Sequence, residues 1–239
     1  MRSLRCVFRV TRPLGLLLAF TTLACAVPLI GGPAETPVPP TPMGDTLPFI
    51  VPLYSITLDP GDTVPGTHLT YVGQRDDAYD VTIDGLTATK RSGDSFIWRG
   101  VIGPGVVAKY NLRIGTAVRG RLLAAGPVEL SVLSPTPVEL SEIPLADNAL
   151  HYQNIAVQYV IPQGRAIPGT TLVYEGTAEE GVRLSGINGY PYRALGDSLI
   201  WIGQLREGSV IRYSLRVASV DEPGLQLVGT AELWVTPAQ

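Results

Sequence analysis

The feature that most constrains the fold of this chain is an internal repeat. Residues 61–132 align without a gap on residues 164–235, with 23 identities in 72 positions. The run Val64-Pro65-Gly66-Thr67 returns as Ile167-Pro168-Gly169-Thr170, an offset of 103 residues that the whole alignment keeps. Because a single register persists over that length, the chain is interpreted as a tandem duplication of one domain.

Within each copy, apolar residues alternate with polar ones at a period of two. Tyr, Leu and Ile at 110, 112 and 114 alternate with Lys, Asn and Arg at 109, 111 and 113, and 211–217 repeat the pattern. Pro-Gly, Asp-Gly and Gly-Asp turns separate such runs, and no stretch after residue 26 has helical spacing over three turns. The pattern predicts an all-β fold of two tandem immunoglobulin-like β-sandwich domains. Trp98 and Trp201 are expected in their cores.

The amino terminus has the composition of an export signal. Four arginines precede the apolar run 14–20, and Leu23-Ala24-Cys25 is similar to a bacterial lipobox. In one interpretation Cys25 is lipidated and becomes the first mature residue. In a second, an ordinary signal peptidase cleaves after Ala26. A third, an uncleaved anchor, is disfavoured because Pro28 and two glycines interrupt the ~20 apolar residues that a membrane span needs.

Charge excludes one class of partner. The whole chain has 18 basic and 21 acidic residues, and residues 1–26 contain four arginines and no acid. Loss of this segment leaves 14 basic residues against 21 acidic ones, a net charge of −7. Phosphate backbones repel an acidic body, so nucleic-acid binding is not expected. Both cysteines, Cys6 and Cys25, lie in the signal segment, and core packing alone is expected to stabilise each domain.

The predicted order of segments is a signal peptide at 1–26, a Pro-rich linker at 27–49, and a first β-sandwich at 50–134. A second linker at 135–149 and a second β-sandwich at 150–237 follow. Prolines as dense as those of the first linker favour extended polyproline II and do not build a core. The second linker contains several apolar residues, which allows contact between the two domains.

The order of motifs resembles a known module. Pro-Gly-Thr, an L-x-Y strand, the segment Val81–Leu86, a Trp and a Y-x-L-R strand follow one another as in the conserved repeat domain of bacterial surface proteins (domain of unknown function eleven). The resemblance covers about 54–132 and, less well, 157–235. It implies an immunoglobulin-like β-sandwich that occurs in tandem, with an extracellular structural role rather than an activity.

Catalytic and metal-binding motifs are sparse. Gly196-Asp197-Ser198-Leu199 is similar to the nucleophile block of the GDSL esterases, but no histidine follows His151, and that chemistry needs a His base. The first copy has the same Gly-Asp-Ser, so the string is interpreted as a turn. Two histidines without a mature thiol do not make a zinc site. The acidic residues 76, 77 and 80 are expected in a solvated loop. No catalytic residue, metal or cofactor is predicted.

The segment Tyr190-Pro191-Tyr192-Arg193 is the strongest candidate binding site. Two tyrosines and an arginine beside a Gly-containing turn are residue types that are enriched at binding hot spots. The first copy has Thr87-Ala88-Thr89-Lys90 at this place, so the feature belongs to one repeat only. The alternative is a rigid turn whose tyrosines pack on the sandwich.

Together these patterns predict a non-enzymatic, exported cell-surface or envelope protein, anchored to the membrane through a lipid on Cys25. Its role would be that of a spacer, a scaffold or a module that contacts an unidentified protein or glycan. The alternative function is an extracytoplasmic ligand-binding module for a glycan or peptide, using Tyr190, Tyr192 and Arg193. Ordinary secretion remains the alternative localisation.

Overall fold

The computed structural model describes residues 45–144 and 146–237, and the chain in these ranges consists of β-strands, turns and loops. The predicted signal peptide, Cys25 and most of the Pro-rich linker lie outside the described residues. The strands are β1 Thr46–Leu58, β2 Leu69–Arg75, β3 Ala78–Ile83, β4 Leu86–Lys90, β5 Ser95–Gly103, β6 Val106–Ile114, β7 Leu122–Leu133, β8 Val138–Glu139, β9 Leu150–Ile161, β10 Arg165–Ala166, β11 Val173–Ala178, β12 Gly181–Ser185, β13 Tyr192–Arg193, β14 Ser198–Arg206, β15 Ser209–Asp221 and β16 Gly224–Val235.

Each repeat forms two antiparallel sheets. Their orders are β1-β7-β6-β5 and β2-β3-β4 in the first repeat, and β8-β14-β15-β16-β9 and β10-β11-β12-β13 in the second. The register is duplicated as well, since Leu47 pairs with Val132 as Leu150 pairs with Val235. The predicted all-β class with tandem β-sandwiches is confirmed.

The order of the strands differs from that of an immunoglobulin constant domain, whose sheets are ABED and CFG. Here the last strand of each repeat pairs with the first, β7 with β1 and β16 with β9. Apart from the pairing of β8 with β14, the remaining pairs join consecutive strands. Alternating side chains suit both orders equally, so the sequence pattern did not distinguish between them.

The core is built from the residues that the alternation selected. Tyr110, Leu112 and Ile114 are buried, and Trp98 and Trp201 are 6% and 2% exposed. The Trp98 indole donates a hydrogen bond to Asp84 Oδ1 at 2.9 Å. A glycine follows two residues after each of these two tryptophans, and a Cβ at either glycine would overlap the indole ring. The duplicated Trp-x-Gly therefore lets a large aromatic ring lie over its own strand.

The recurrent Pro-Gly-Thr is a structural turn. Thr67 Oγ1 donates to the carbonyl of Val64 at 2.8 Å and accepts the N–H of Leu69 at 3.0 Å. Thr170 makes the same pair of bonds in the second repeat, both at 3.0 Å. Buried backbone groups of the turn are thereby paired, which is why the motif is present in both copies.

Both predicted linkers contain strand. β1 begins at Thr46, inside the segment 27–49, and Leu47 and Phe49 are each 2% exposed. Pro48 is compatible with β1 because this strand lies at the edge of its sheet, where a missing N–H can face outward. In the segment 135–149, β8 pairs with β14. Proline density predicted an extended linker without a core role at 27–49, but the edge of a sheet accepts proline. In the second linker, the apolar residues already indicated contact with a domain.

The two repeats lie in one compact unit and contact each other through equivalent residues. Leu150 packs on Gly66 of the first repeat, and Leu47 packs on Gly169 of the second. The two glycines have φ of +75° and +73°, and a Cβ at either would meet the leucine. Such a pair of equivalent contacts is typical of a two-fold symmetric dimer interface, which is formed here within one chain.

A buried tyrosine pair reinforces this interface. The hydroxyls of Tyr110, in the first repeat, and Tyr152, in the second, lie 2.5 Å apart. The ring of Tyr54 packs edge-on against Tyr110, with ring centroids 5.5 Å apart. Burial raises the pKa of both Tyr110 and Tyr152, because the ionised form would lose its hydration. The two hydroxyls therefore hold the repeats together in their neutral forms.

Candidate functional site

The predicted binding residues lie between β12 and β14 of the second repeat. Tyr190 is 63% exposed in the loop that follows β12, whereas Tyr192 and Arg193 form β13 and are half-buried. The two tyrosine rings lie 5.5 Å apart between centroids and are tilted by 57°. The structure thus brings the two rings together at the surface. Tyr190 does not pack into the sandwich.

Arg193 holds this loop in shape. Its Nη1 donates to the carbonyl oxygens of Tyr190 and Tyr192, both at 2.7 Å. The carbonyl of Pro191 accepts the N–H of Leu184 at 2.9 Å, which fixes the loop to β12. A loop held by such bonds loses little conformational freedom when it binds a ligand. Arg193 therefore positions the two tyrosines, a role that composition alone did not distinguish from ligand contact.

A cavity of about 270 Å³ lies beside Arg193. Its wall includes Leu195, which is 68% exposed, and Val220 and Asp221 at the end of β15. An apolar surface with one guanidinium and one carboxylate suits a small polar ligand that has an apolar face. Sequence reasoning missed Leu195. The sequence did contain a signal, because the equivalent residue in the first repeat is Ser92. Leu195 is thus a second difference between the repeats, close to the Tyr190–Arg193 segment.

The Gly-Asp-Ser string is a turn in both repeats. Asp197 Oδ2 accepts the N–H of Ala194, and Asp94 Oδ2 accepts that of Arg91, both at 2.8 Å. The interpretation as a turn is thus confirmed by the same capping bond at equivalent positions. His151, the last histidine, stacks on Trp234 with ring centroids 4.6 Å apart.

Two of the three acidic residues of the β2–β3 hairpin, Asp77 and Asp80, form ion pairs with arginines. Asp80 accepts hydrogen bonds from Arg75 at 2.6 Å and from Thr89 at 3.0 Å. The bond from Arg75 is the main reason why the pKa of Asp80 is lowered. Asp77 lies 3.6 Å from Arg91. Across 45–144 and 146–237, no three His, Cys, Asp or Glu side chains converge as metal ligands do.

No family model, curated protein or solved structure matches the sequence. In the part of the chain that the structure describes, no helix has the length and apolar character to cross a membrane. The resemblance to the conserved repeat domain of surface proteins stays a prediction.

Proposed function

We propose that this chain is a non-enzymatic, exported and lipid-anchored surface protein whose two repeats form one rigid head. The observation that carries the proposal is the reciprocal interface between the repeats. Leu47 and Leu150 each pack on a glycine of the opposite repeat, and the Tyr110–Tyr152 hydroxyl pair is buried between the repeats. A flexible pair of domains would have a small, polar interface. A rigid body behind a Pro-rich segment suits a spacer, a scaffold or a platform for a partner.

Lipid anchoring is tested by Cys25→Ser. If Cys25 carries the lipid, the variant loses lipid labelling and moves from the membrane to the soluble fraction, because the anchor is removed. Cys6→Ser is the matched control, since Cys6 is the other cysteine and precedes the lipobox. It should leave both measurements unchanged. A mature N-terminus at Val27 in the unaltered protein would establish ordinary secretion instead.

A second function, binding of a glycan or peptide by repeat 2, is favoured by the geometry of the Tyr190 loop. The exposed ring of Tyr190 and the half-buried ring of Tyr192 offer a stacking surface. Arg193 of the same segment lines the cavity together with Asp221, and both carry hydrogen-bonding groups. The loop is also held in shape before any ligand arrives. Sandwich domains commonly place binding residues in loops at their ends.

The double variant Tyr190→Ala with Tyr192→Ala tests this second function. Capture of a ligand from an array of glycans and extended peptides should fall at least tenfold, because hot-spot aromatics carry most of the affinity. Loss of the exposed Tyr190 ring should change the free energy of unfolding by about 0.5 kcal/mol or less. The single variant Tyr192→Ala separates out the contribution of the half-buried ring. Unchanged capture together with a loss of several kcal/mol would show that the tyrosines are packing residues.

A further inference from the structure

The two repeats differ in what lies along one sheet edge. In repeat 2, the connector covers the outer edge of β14. Thr136 donates its N–H to the carbonyl of Leu205 at 2.8 Å, and Leu140 donates to the carbonyl of Ile202 at 2.9 Å. Between them β8 extends the sheet. An extended, proline-containing segment thus occupies the hydrogen-bonding edge that β14 would otherwise leave open.

Within the described residues, no strand pairs with the same edge in repeat 1, where only the end of β5 at Gly103 lies against Val235 and Thr236. β5 is equivalent to β14 and lies at the end of the order β1-β7-β6-β5. Arg99 and Ile102 stand at the positions of Ile202 and Leu205, whose carbonyls accept bonds from the connector. Next to them Val101 is 60% exposed. Repeat 1 therefore offers the backbone groups that bind an added strand in repeat 2.

Side chains beside this edge indicate what kind of strand would fit. A groove of about 300 Å³ on the outer face of the sheet is lined by Ile97, Arg99 and Lys109, among others. Ile97 is 45% exposed and supplies an apolar contact. The Lys109 ammonium forms an ion pair with Glu129 at 2.8 Å. The residue equivalent to Arg99 in repeat 2 is the apolar Ile202. The groove thus presents an apolar side chain at Ile97 and a guanidinium at Arg99, where the sister repeat has Ile202.

We infer that the edge of β5 from Arg99 to Ile102 is an acceptor site for an extended peptide of a partner protein. The peptide adds to the sheet as a strand, as the connector does on β14, with an aliphatic side chain near Ile97 and an acidic one near Arg99. Main-chain bonds supply the affinity in such strand addition, and side-chain pockets supply the specificity. The inference rests on the proposed interaction role, but its site lies in repeat 1, whereas the Tyr190 loop lies in repeat 2.

The test uses the mature chain and a labelled synthetic peptide with the sequence of residues 134–141, Ser-Pro-Thr-Pro-Val-Glu-Leu-Ser. Fluorescence anisotropy should show saturable binding, and amide NMR shifts should concentrate on β5. Val101→Pro should weaken binding at least tenfold. Val101 is equivalent to Gln204, which pairs with Val138 of β8. By this equivalence the N–H of Val101 faces the unpaired edge of β5 and is available to an added strand. Val101→Thr keeps this N–H and is the matched control.

Val101→Pro could lose binding because it misfolds, so two further measurements test the site without this substitution. A peptide with an N-methylated valine loses the matching donor and should not bind the unaltered chain. Arg99→Glu should weaken binding about threefold, the size of a surface ion pair. Equal binding of the methylated peptide would overturn the inference, since only side-chain adhesion would then remain.

Other occupants of this edge give distinct results, each of which overturns the inference. The sequence Thr-Pro-Val of the connector also occurs at 36–38. Peptide binding that appears only in Val38→Asp would assign the edge to the chain itself. A dimer of the unaltered chain that Val101→Pro dissociates would assign the edge to a second copy. The Cys25→Ser experiment tests localisation separately, so failure of the peptide site would leave the proposed anchoring untouched.

Discussion

Raising the pH from 10 to 12 should unfold the two-repeat body over a narrow range. Four of the buried tyrosines form two hydroxyl pairs, Tyr110 with Tyr152 and Tyr159 with Tyr213. Burial raises the pKa of each above the ordinary value near 10, and that of Tyr159 to about 12. In the unfolded chain the same hydroxyls ionise near pH 10.

The sign of the effect follows from proton binding. Between pH 10 and the raised pKa values, the folded chain keeps protons that the unfolded chain has released, so the free energy of unfolding falls as the pH rises. Each group contributes about 1.4 kcal/mol per pH unit, and the four together about 5.5 kcal/mol per pH unit. Domains are stable by ~5–15 kcal/mol, so unfolding is expected between about pH 11 and pH 12. Stability from these groups is fully present below pH 10.

Urea unfolding at a series of pH values measures this slope. Tyr152→Phe and Tyr159→Phe should each reduce the slope by about 1.4 kcal/mol per pH unit, because one buried hydroxyl is removed. Phe49 already occupies the position equivalent to Tyr152 in repeat 1, so the first change has a precedent in the chain. Tyr190→Phe is the control, since its ring is exposed. A slope that these core substitutions leave unchanged would contradict the prediction.

Trp201→Ala should lower the free energy of unfolding by about 3–5 kcal/mol, the usual cost of truncating a buried aromatic. The indole is 2% exposed, lies over Gly203 and donates to Thr171 Oγ1 at 3.3 Å. Its removal leaves a cavity that the surrounding strands cannot fill. Trp98→Ala should have an effect of similar size in repeat 1. Because the repeats share a buried interface, each variant should still unfold in one transition, seen by circular dichroism and chemical denaturation.

Trp234 provides the control for this prediction, as the third tryptophan of the chain. Its ring is only partly buried and stacks on His151 with an interplanar angle of 6°. Trp234→Ala removes this stack but no core volume, so the expected loss is about 1 kcal/mol. Equal losses for Trp234→Ala and Trp201→Ala would mean that the core role of the indole is misassigned. Two separate transitions would show that the repeats are not coupled.

Local patterns predicted much of what the structure contains. The period of two describes neighbours along one strand, and burial of Tyr110 and Leu112 follows from it. The 103-residue offset predicted that the second repeat would share this pattern, and Trp98 and Trp201 are buried as expected. The Gly-Asp-Ser turn was equally local. In the candidate site, residue types indicated Tyr190 and Tyr192. They did not indicate that the carbonyls of both tyrosines bind Arg193, since that depends on the path of the loop.

Residue spacing is enough to predict a tandem duplication built of strands with one buried face. The pairing of the strands is visible only in the folded chain, as are the contacts of Leu47 and Leu150 with the opposite repeat and the strand that the connector adds to β14 but not to β5. A period of two states which side of a strand is buried but not which strand lies next to it. That choice depends on contacts between residues far apart in the chain, and on the packing of two whole repeats against each other.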